Sequence, residues 1–146
     1  MDILDIKGEE KLLYEEYKSK LTQIKKIQKE KEAVGQVFTK GLLPLYVLYI
    51  LSIGATNGYD ISHQIGERTK GHWIPSTGGI YPILNKLERG KMVVGKWDDS
   101  RKKIQKIYTI TETGLKQLED KKVLLKEKIQ EALEVFKIIY KDLYND

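Results

Sequence analysis

The spacing of apolar residues near the start of the chain predicts a long helix over residues 8–33. One narrow apolar stripe follows this helix. It consists of Tyr14, Tyr17, Leu21 and Ile24. A stripe this narrow cannot form a core alone, so it predicts packing against another helix of the same chain or of a partner. Residues 34–40, which include Gly35, are predicted to be a joint.

The next segment is apolar on nearly every side. Residues 42–53 have the sequence LLPLYVLYILSI, which predicts the buried central helix of a small domain. Pro44 fits the first turn of such a helix, where no intrahelical N–H bond is lost. Gly54 is predicted to end the helix.

Two further helices are predicted after a turn at Asn57 and Gly58. The first covers about residues 59–69, and the second begins after Ser76, a candidate N-cap. Between them, Trp73 is predicted to fill the corner, with ligand stacking as the alternative. The second helix has a buried face and an exposed face without acids. The buried face consists of Ile80, Ile83, Leu84 and Leu87. The exposed face consists of Thr77, Gly78, Tyr81, Pro82, Asn85, Lys86 and Arg89.

After Gly90 the hydrophobic period changes from about 3.6 residues to about 2. Residues 92–97 and 104–110 are rich in Val, Ile, Tyr and Thr, and they predict two strands. The tip between the strands ends in three consecutive cations, which are Arg101, Lys102 and Lys103. A solvated loop would tolerate the same charges. The position of the hairpin directly after a basic helix favours the wing of a winged helix-turn-helix.

The last predicted helix runs from about residue 112 to residue 143, with Thr111 as its N-cap. Its apolar residues alternate at spacings of four and three, which is the seam of a coiled coil. They are Leu125, Ile129, Ala132, Phe136, Ile139 and Leu143. This seam is predicted to pack against the N-terminal helix, against a second subunit, or against both.

The order of these elements predicts a mostly α fold with a small β-hairpin (α+β). The architecture is a winged helix-turn-helix with long N- and C-terminal dimerisation helices. Three parts are predicted: a helical extension over residues 1–40, a winged helix over residues 41–110, and a dimerisation helix over residues 111–146. In such a module the third helix enters the DNA major groove and the wing contacts the backbone or the minor groove.

The predicted recognition helix has the chemistry that this role requires. Gly78 would allow close approach to a phosphate, and the free N–H groups at a helix start favour anions. The hydroxyl groups of Ser76 and Thr77 add hydrogen-bond donors. Tyr81 and Lys86, five residues apart, are expected on one exposed flank.

Charge supports this prediction, and composition limits the alternatives. Residues 41–110 contain ten Lys and Arg residues against five acids, whereas the two terminal parts are close to neutral. Cysteine is absent and only His63 and His72 occur, so no metal site and no cofactor are predicted. The sequence shows no phosphate loop, catalytic triad or carboxylate pair at a plausible site, so no enzymatic activity is predicted.

The longest apolar run, residues 42–55, is shorter than the roughly 20 residues of a membrane span. The first residues lack the apolar segment of a signal peptide. The sequence therefore predicts a protein of the cytoplasm with no membrane partner.

Three segments resemble the PadR-like transcriptional regulators. They are NGYDI at residues 57–61, PSTGGIYPILNKLE at residues 75–88 and IYTITETG at residues 107–114. The resemblance implies a repressor that binds double-stranded DNA at a pseudo-palindromic operator as a homodimer, joined through the C-terminal helix. It also implies DNA contacts from Ser76, Thr77, Tyr81 and Lys86.

The resemblance leaves two features open. Some members of the family respond to phenolic compounds or drugs, so a small-molecule effector is expected, although no pocket residue is identified. The first 40 residues exceed the short N-terminus usual in the family, and we hypothesise that residues 8–33 extend the dimer bundle. The alternative functions are a winged-helix adaptor without specific DNA binding and a MarR-like regulator.

Overall fold

The computed structural model describes residues 2–100 and 102–145, with the side chains of residues 30–40 outside the description. It contains four helices and one hairpin, which confirms the predicted fold class. In chain order the elements are α1 (Ile3–Ile53), α2 (Gly58–Arg68), α3 (Thr77–Arg89), β1 (Val93–Asp98), β2 (Gln105–Ile110) and α4 (Glu112–Tyr144).

The prediction of two N-terminal helices with a joint at residues 34–40 is wrong. Helix α1 continues through this stretch and reaches 51 residues. A glycine such as Gly35 lowers helix stability by only about 1 kcal/mol and leaves the backbone hydrogen bond intact. Pro44 consequently lies inside α1 rather than in a first turn, and its missing N–H removes one intrahelical hydrogen bond.

Side-chain caps start the three later helices, as the sequence indicates for Ser76 and Thr111. Ser76 accepts a hydrogen bond from the backbone N–H of Gly79 at 3.2 Å, and Thr111 accepts one from Gly114 at 3.1 Å. Asn57 caps α2 in the same way. Each cap satisfies one of the backbone donors that a helix start leaves free.

The core lies where the C-terminal part of α1 meets α2 and α3. Its side chains include Ile61 and Ile65 of α2, which lie four residues apart on one face of that helix. Three of the four apolar residues predicted for α3, namely Ile80, Leu84 and Leu87, are buried, and Ile83 is half-buried against them. The segment predicted to be a buried central helix is not buried on every side. One side of it, which consists of Tyr49, Ser52 and Ile53, is exposed.

The hairpin is tied to the helices by a backbone pairing that the sequence did not predict. Thr56, just before α2, pairs with Tyr108 of β2 through two backbone hydrogen bonds of 2.8 and 3.2 Å. The hairpin itself is antiparallel, with Val93 opposite Ile110. These bonds hold the base of the wing against the helix-turn-helix.

Helix α4 begins inside the winged domain and then leaves it. Gly114 and Leu118 are buried, and a Cβ on Gly114 would collide with the backbone carbonyl of Met92. From residue 126 onward every described side chain of α4 is exposed. Among the described helices, none combines the length and the apolar character needed to cross a membrane.

Candidate nucleic-acid interface

The start of α3 is held open toward solvent. Ser76, Thr77 and Gly78 are exposed. A Cβ placed on Gly78 would meet only the Ser76 hydroxyl, at 3.7 Å, so packing does not require glycine here. The open position leaves the free N–H groups of the helix start accessible to an anion.

Contacts with α2 orient this helix start. The buried Ser62 hydroxyl donates a hydrogen bond to the carbonyl of Pro75, the residue before the cap. Ile74 packs against Gly66, where a Cβ would lie 3.1 Å from the Ile74 side chain. In the connecting turn, Thr69 bonds both the N–H and the carbonyl of Trp73, each at 3.0 Å. These contacts, of which the Ser62 hydrogen bond is buried, set the angle between α2 and α3.

A groove of about 610 Å³ runs between the exposed face of α3 and the hairpin. Its polar lining includes Asn57, Tyr81, Asn85, Lys103, Gln105 and Lys106. Tyr81 shares this groove with Asn85, four residues on, rather than with Lys86. The prediction that Tyr81 and Lys86 share one flank is therefore wrong. Five residues correspond to about 500° of rotation at ~100° per residue, which leaves the two side chains ~140° apart around the helix.

Gly58 allows Tyr81 to take its position. A Cβ on Gly58 would lie 2.9 Å from the Tyr81 ring, so any larger residue would displace that ring. The neighbouring Asn57 side chain donates a hydrogen bond to Gln105 on the hairpin at 2.6 Å. The floor of the groove thus connects α2, α3 and β2.

An ion pair joins α3 to the wing. The Lys106 ammonium lies 3.0 Å from a Glu88 carboxylate oxygen, and the two side chains are about one quarter and one third exposed. This hydrogen bond raises the pKa of Lys106 above its usual range. The ammonium also lies over the rings of Trp97 and Tyr108. Gly95, directly beneath, leaves room for the Lys106 stem.

Glu88 is the only acid of α3, and it is half-buried in this pair. The exposed face of α3 therefore carries Lys86 and Arg89 without a competing carboxylate. Burial raises the pKa of the Tyr108 hydroxyl, so that phenol stays neutral at the base of the groove. The net result is a cationic surface along α3.

The predicted DNA-contacting residues lie on α3 and at the tip of the hairpin, and Tyr81 and Lys103 line the groove between these elements. Ser76, Thr77, Gly78, Tyr81 and Lys86 all lie on or at the start of α3 and are exposed. At the tip of the hairpin, Lys102 and Lys103 are exposed, and Lys103 reaches the groove lining. Arg101 lies outside the described residues.

The predicted DNA-contacting residues did not include five residues that line the groove, namely Asn57, Tyr59, Asn85, Gln105 and Lys106. Asn85 belongs to the predicted exposed face of the helix, and its spacing of four from Tyr81 indicates that the two side chains share one flank. The others come from α2 and β2, and no local pattern indicates that these elements meet α3.

A second cavity, of about 550 Å³, lies between the winged domain and α4. Its aromatic wall is formed by Tyr46, stacked 5.7 Å from Tyr49 and 6.1 Å from Trp73 between ring centroids. Trp73 is buried, as predicted. On the opposite side, α4 contributes Leu118, Lys122 and Ile129. The cavity is nearly all apolar.

The predicted seam of α4 is divided between two environments. Leu125, Ile129, Ala132 and Phe136 line a groove of about 350 Å³ together with Leu42 of α1. Ile139 and Leu143 lie beyond this groove and are 49% and 66% exposed. Within the described residues, this C-terminal part of the seam is thus largely open to solvent.

No three His, Asp or Glu side chains in the described part of the chain come together as a metal site requires. The described arrangement offers hydrogen-bond donors, cations and an open helix start. These groups suit the binding of a polyanion.

Comparison with known proteins agrees with this arrangement. The model of the PadR-like family of transcriptional regulators matches residues 47–120. The transcriptional regulator YqjI of Escherichia coli K12 is 34% identical over 83 residues, which are 57% of this chain. The matched region spans only 39% of the length of that relative.

Solved structures show the same fold. The PadR-like regulator BC4206 of Bacillus cereus is 29% identical with a TM-score of 0.56, covering 68% of this chain and 95% of that one. The protein smu.1704 of Streptococcus mutans is 28% identical with a TM-score of 0.51, covering 74% and 96%. With half of its length matched by the family model, the chain belongs to the PadR-like family of transcriptional regulators.

Proposed function

We propose that this protein is a sequence-specific, DNA-binding repressor that binds a pseudo-palindromic operator as a homodimer. The observation that carries the proposal is the exposed face of α3, which is cationic, free of acids and open at its start. Phosphates of a duplex are the polyanion that such a face fits best. Membership of the PadR-like family supports the same conclusion.

In the proposed complex, α3 lies in the major groove. The N–H groups at Thr77 and Gly78 and the hydroxyls of Ser76 and Thr77 bind phosphate oxygens, which sets the register of the helix. Tyr81 and Asn85 face the base edges from the groove beside the wing. An Asn side chain can bind adenine through two hydrogen bonds, so Asn85 is the residue we assign to base recognition. Lys86 binds the backbone on the other flank.

Two copies are needed because one short helix reads too few base pairs. We assign the dimer contact to the seam of α4, from Leu125 to Leu143, because its C-terminal residues Ile139 and Leu143 are largely open to solvent within the described chain. A two-fold dimer would present two α3 helices to half-sites about one DNA turn apart. The symmetry of the operator follows from the symmetry of the protein.

We further propose that the aromatic cavity beside α4 binds the small-molecule effector. Tyr46, Tyr49 and Trp73 present ring faces to it, which favours an aromatic, largely apolar compound. Because the lining combines α1 and the turn before α3 with α4, a bound compound would contact both the DNA-binding and the dimerisation elements. Differential binding of this kind can shift the spacing of the two α3 helices.

The most direct experiment is selection of bound fragments from the genome of the host. We expect fragments that share an inverted repeat, with an affinity that falls steeply as salt is raised. Binding to duplexes without enrichment of any sequence would contradict specific recognition. Absence of salt-dependent duplex binding would favour the protein-binding adaptor instead.

Replacement of Tyr81 or Lys86 by Ala tests the assignment of α3. Each variant should lose about 1–3 kcal/mol of binding energy per half-site, which is about tenfold or more in affinity. Fluorescence anisotropy with the selected operator measures the change, and sedimentation checks the assembly, which should stay intact. If both variants bind the operator as tightly as the unmodified protein, α3 is not the recognition helix.

Joint replacement of Arg101, Lys102 and Lys103 by Ala tests the wing. We expect weaker binding to every duplex alike, because phosphate contacts do not depend on sequence. The slope of the logarithm of the affinity against the logarithm of the salt concentration (the salt slope) should decrease in magnitude by ~0.9 for each phosphate that the wing no longer neutralises. The matched control removes three exposed lysines of α4, at Lys116, Lys126 and Lys137. A wing variant that keeps the full salt slope, like this control, would show that the wing does not contact phosphates.

A further inference from the structure

The first half of α1 carries an apolar stripe that no described part of its own chain covers. Side chains of residues 2–29 are exposed, apart from the half-buried Leu21. In proteins most of the stability of a helix comes from packing of its apolar face. An exposed stripe of this length therefore favours a partner outside the described chain.

The stripe follows a strict heptad pattern. From residue 3 to residue 27 its positions alternate at spacings of three and four, and six of the eight are apolar. The apolar ones, 44–70% exposed, are Ile3, Ile6, Leu13, Tyr17, Ile24 and Ile27. Two positions are charged, Glu10 and Lys20. The predicted seam residues Tyr14 and Leu21 flank this stripe.

The two charged positions define how a second copy can pair. In a parallel, in-register pair, Glu10 would face the partner's Glu10, and Lys20 would face the partner's Lys20. Like charges at facing core positions destabilise a coiled coil and specify against that arrangement.

One antiparallel register satisfies every position. When Ile3 faces the partner's Ile27, Ile6 faces the partner's Ile24 and Leu13 faces the partner's Tyr17. In the same register, Glu10 faces the partner's Lys20. All apolar layers are then matched with apolar layers, and the charged layers hold opposite charges. The seam of α4, by contrast, is entirely apolar and would leave both charges unmatched.

We propose that residues 3–27 of α1 pair with the same segment of a second copy as an antiparallel coiled coil. The two-fold axis of this pair passes near residue 15. That point is about 39 Å along the helix from Gly41, which lines the same groove as Phe136 of α4. Helix α4 ends only about 12 Å beyond Phe136. The α1 pair is therefore a separate interface, and it links α4-mediated dimers into a larger assembly.

Cysteine cross-linking tests the register directly, because the natural chain contains no cysteine. In an I3C/I27C variant, oxidation should produce chains linked by disulfides between copies. The two positions are ~36 Å apart within one helix and cannot join within a chain. I3C alone should remain unlinked. Efficient linkage of I3C alone would indicate a parallel pair, and no linkage of I3C/I27C would indicate another partner; either result would overturn the proposal.

A charge exchange gives an independent test by sedimentation of the full-length protein. Glu10→Lys and Lys20→Glu should each lower the assembly mass at least twofold, and the double variant should restore it. Glu15→Lys, the same charge change on the opposite side of α1, is the matched control and should leave the mass unchanged. Single variants with unaltered mass, or a double variant that is not restored, would contradict the antiparallel pair. The outcome does not depend on DNA binding.

Discussion

Replacing Ile139 by Asp should break the proposed α4 dimer and lower operator affinity by ~1000-fold, within the ~10²–10⁴-fold that a second linked binding site contributes. Ile139 is half exposed in the single chain, so the change leaves the core of the winged domain intact. In the two-fold dimer it would place two carboxylates in an apolar seam, and each costs several kcal/mol to bury. Each subunit would then hold the operator through only one α3 helix.

The mass of the assembly is best measured by sedimentation with Ile139→Asp introduced into the Glu10→Lys variant, so that pairing through α1 does not mask the loss of the α4 contact. This double variant is expected to be a monomer. Ile138→Asp is the matched control, because it introduces the same charge at an equally exposed Ile that lies ~100° around the helix. If both variants remained dimers with full operator affinity, α4 would not be the dimer contact.

Replacing Gly78 by Asp should abolish operator binding while leaving the protein at least as stable. Gly78 is in the first turn of α3, where a negative charge favours the helix by about 0.3–1 kcal/mol. Asp also replaces the least favourable helical residue apart from Pro. The same carboxylate would lie where we place a DNA phosphate, so it would repel the phosphate and block the backbone N–H groups.

Removal of a charge-assisted hydrogen bond, together with this repulsion, amounts to about 3 kcal/mol, or ~100-fold, per half-site. Anisotropy measures the affinity, and thermal unfolding measures the stability. Thr113→Asp is the matched control because it puts the same charge in the first turn of α4, beyond the opposite end of α3. Tight operator binding by Gly78→Asp would exclude phosphate contact at this helix start.

Local signals account for the elements that were predicted correctly. The caps at Ser76 and Thr111 need only a side-chain oxygen and a nearby backbone N–H. The buried face of α3 follows from helical spacing, and the two strands follow from alternation and β-branched residues. In these cases the residues that determine the element lie within a few positions of one another.

The errors arose where a weak local signal met a longer-range requirement. Gly35 suggested a joint, but one glycine does not outweigh the cooperativity of a long helix. The predicted common flank of Tyr81 and Lys86 is wrong, because the groove that Tyr81 lines also contains Asn85 and does not contain Lys86. The role of Arg101 remains a prediction, as do the DNA contacts and the dimer seam.

Local patterns in the sequence were enough to predict the fold class, the faces of α3 and the hairpin. The way in which α2, α3 and the hairpin together form the groove depends on tertiary contacts. Asn57 reaches Gln105 across 48 residues, and Glu88 pairs with Lys106 across 18. The physical reason is that periodicity and capping are local properties of the chain, whereas the partners of a polar side chain depend on which elements the core brings together.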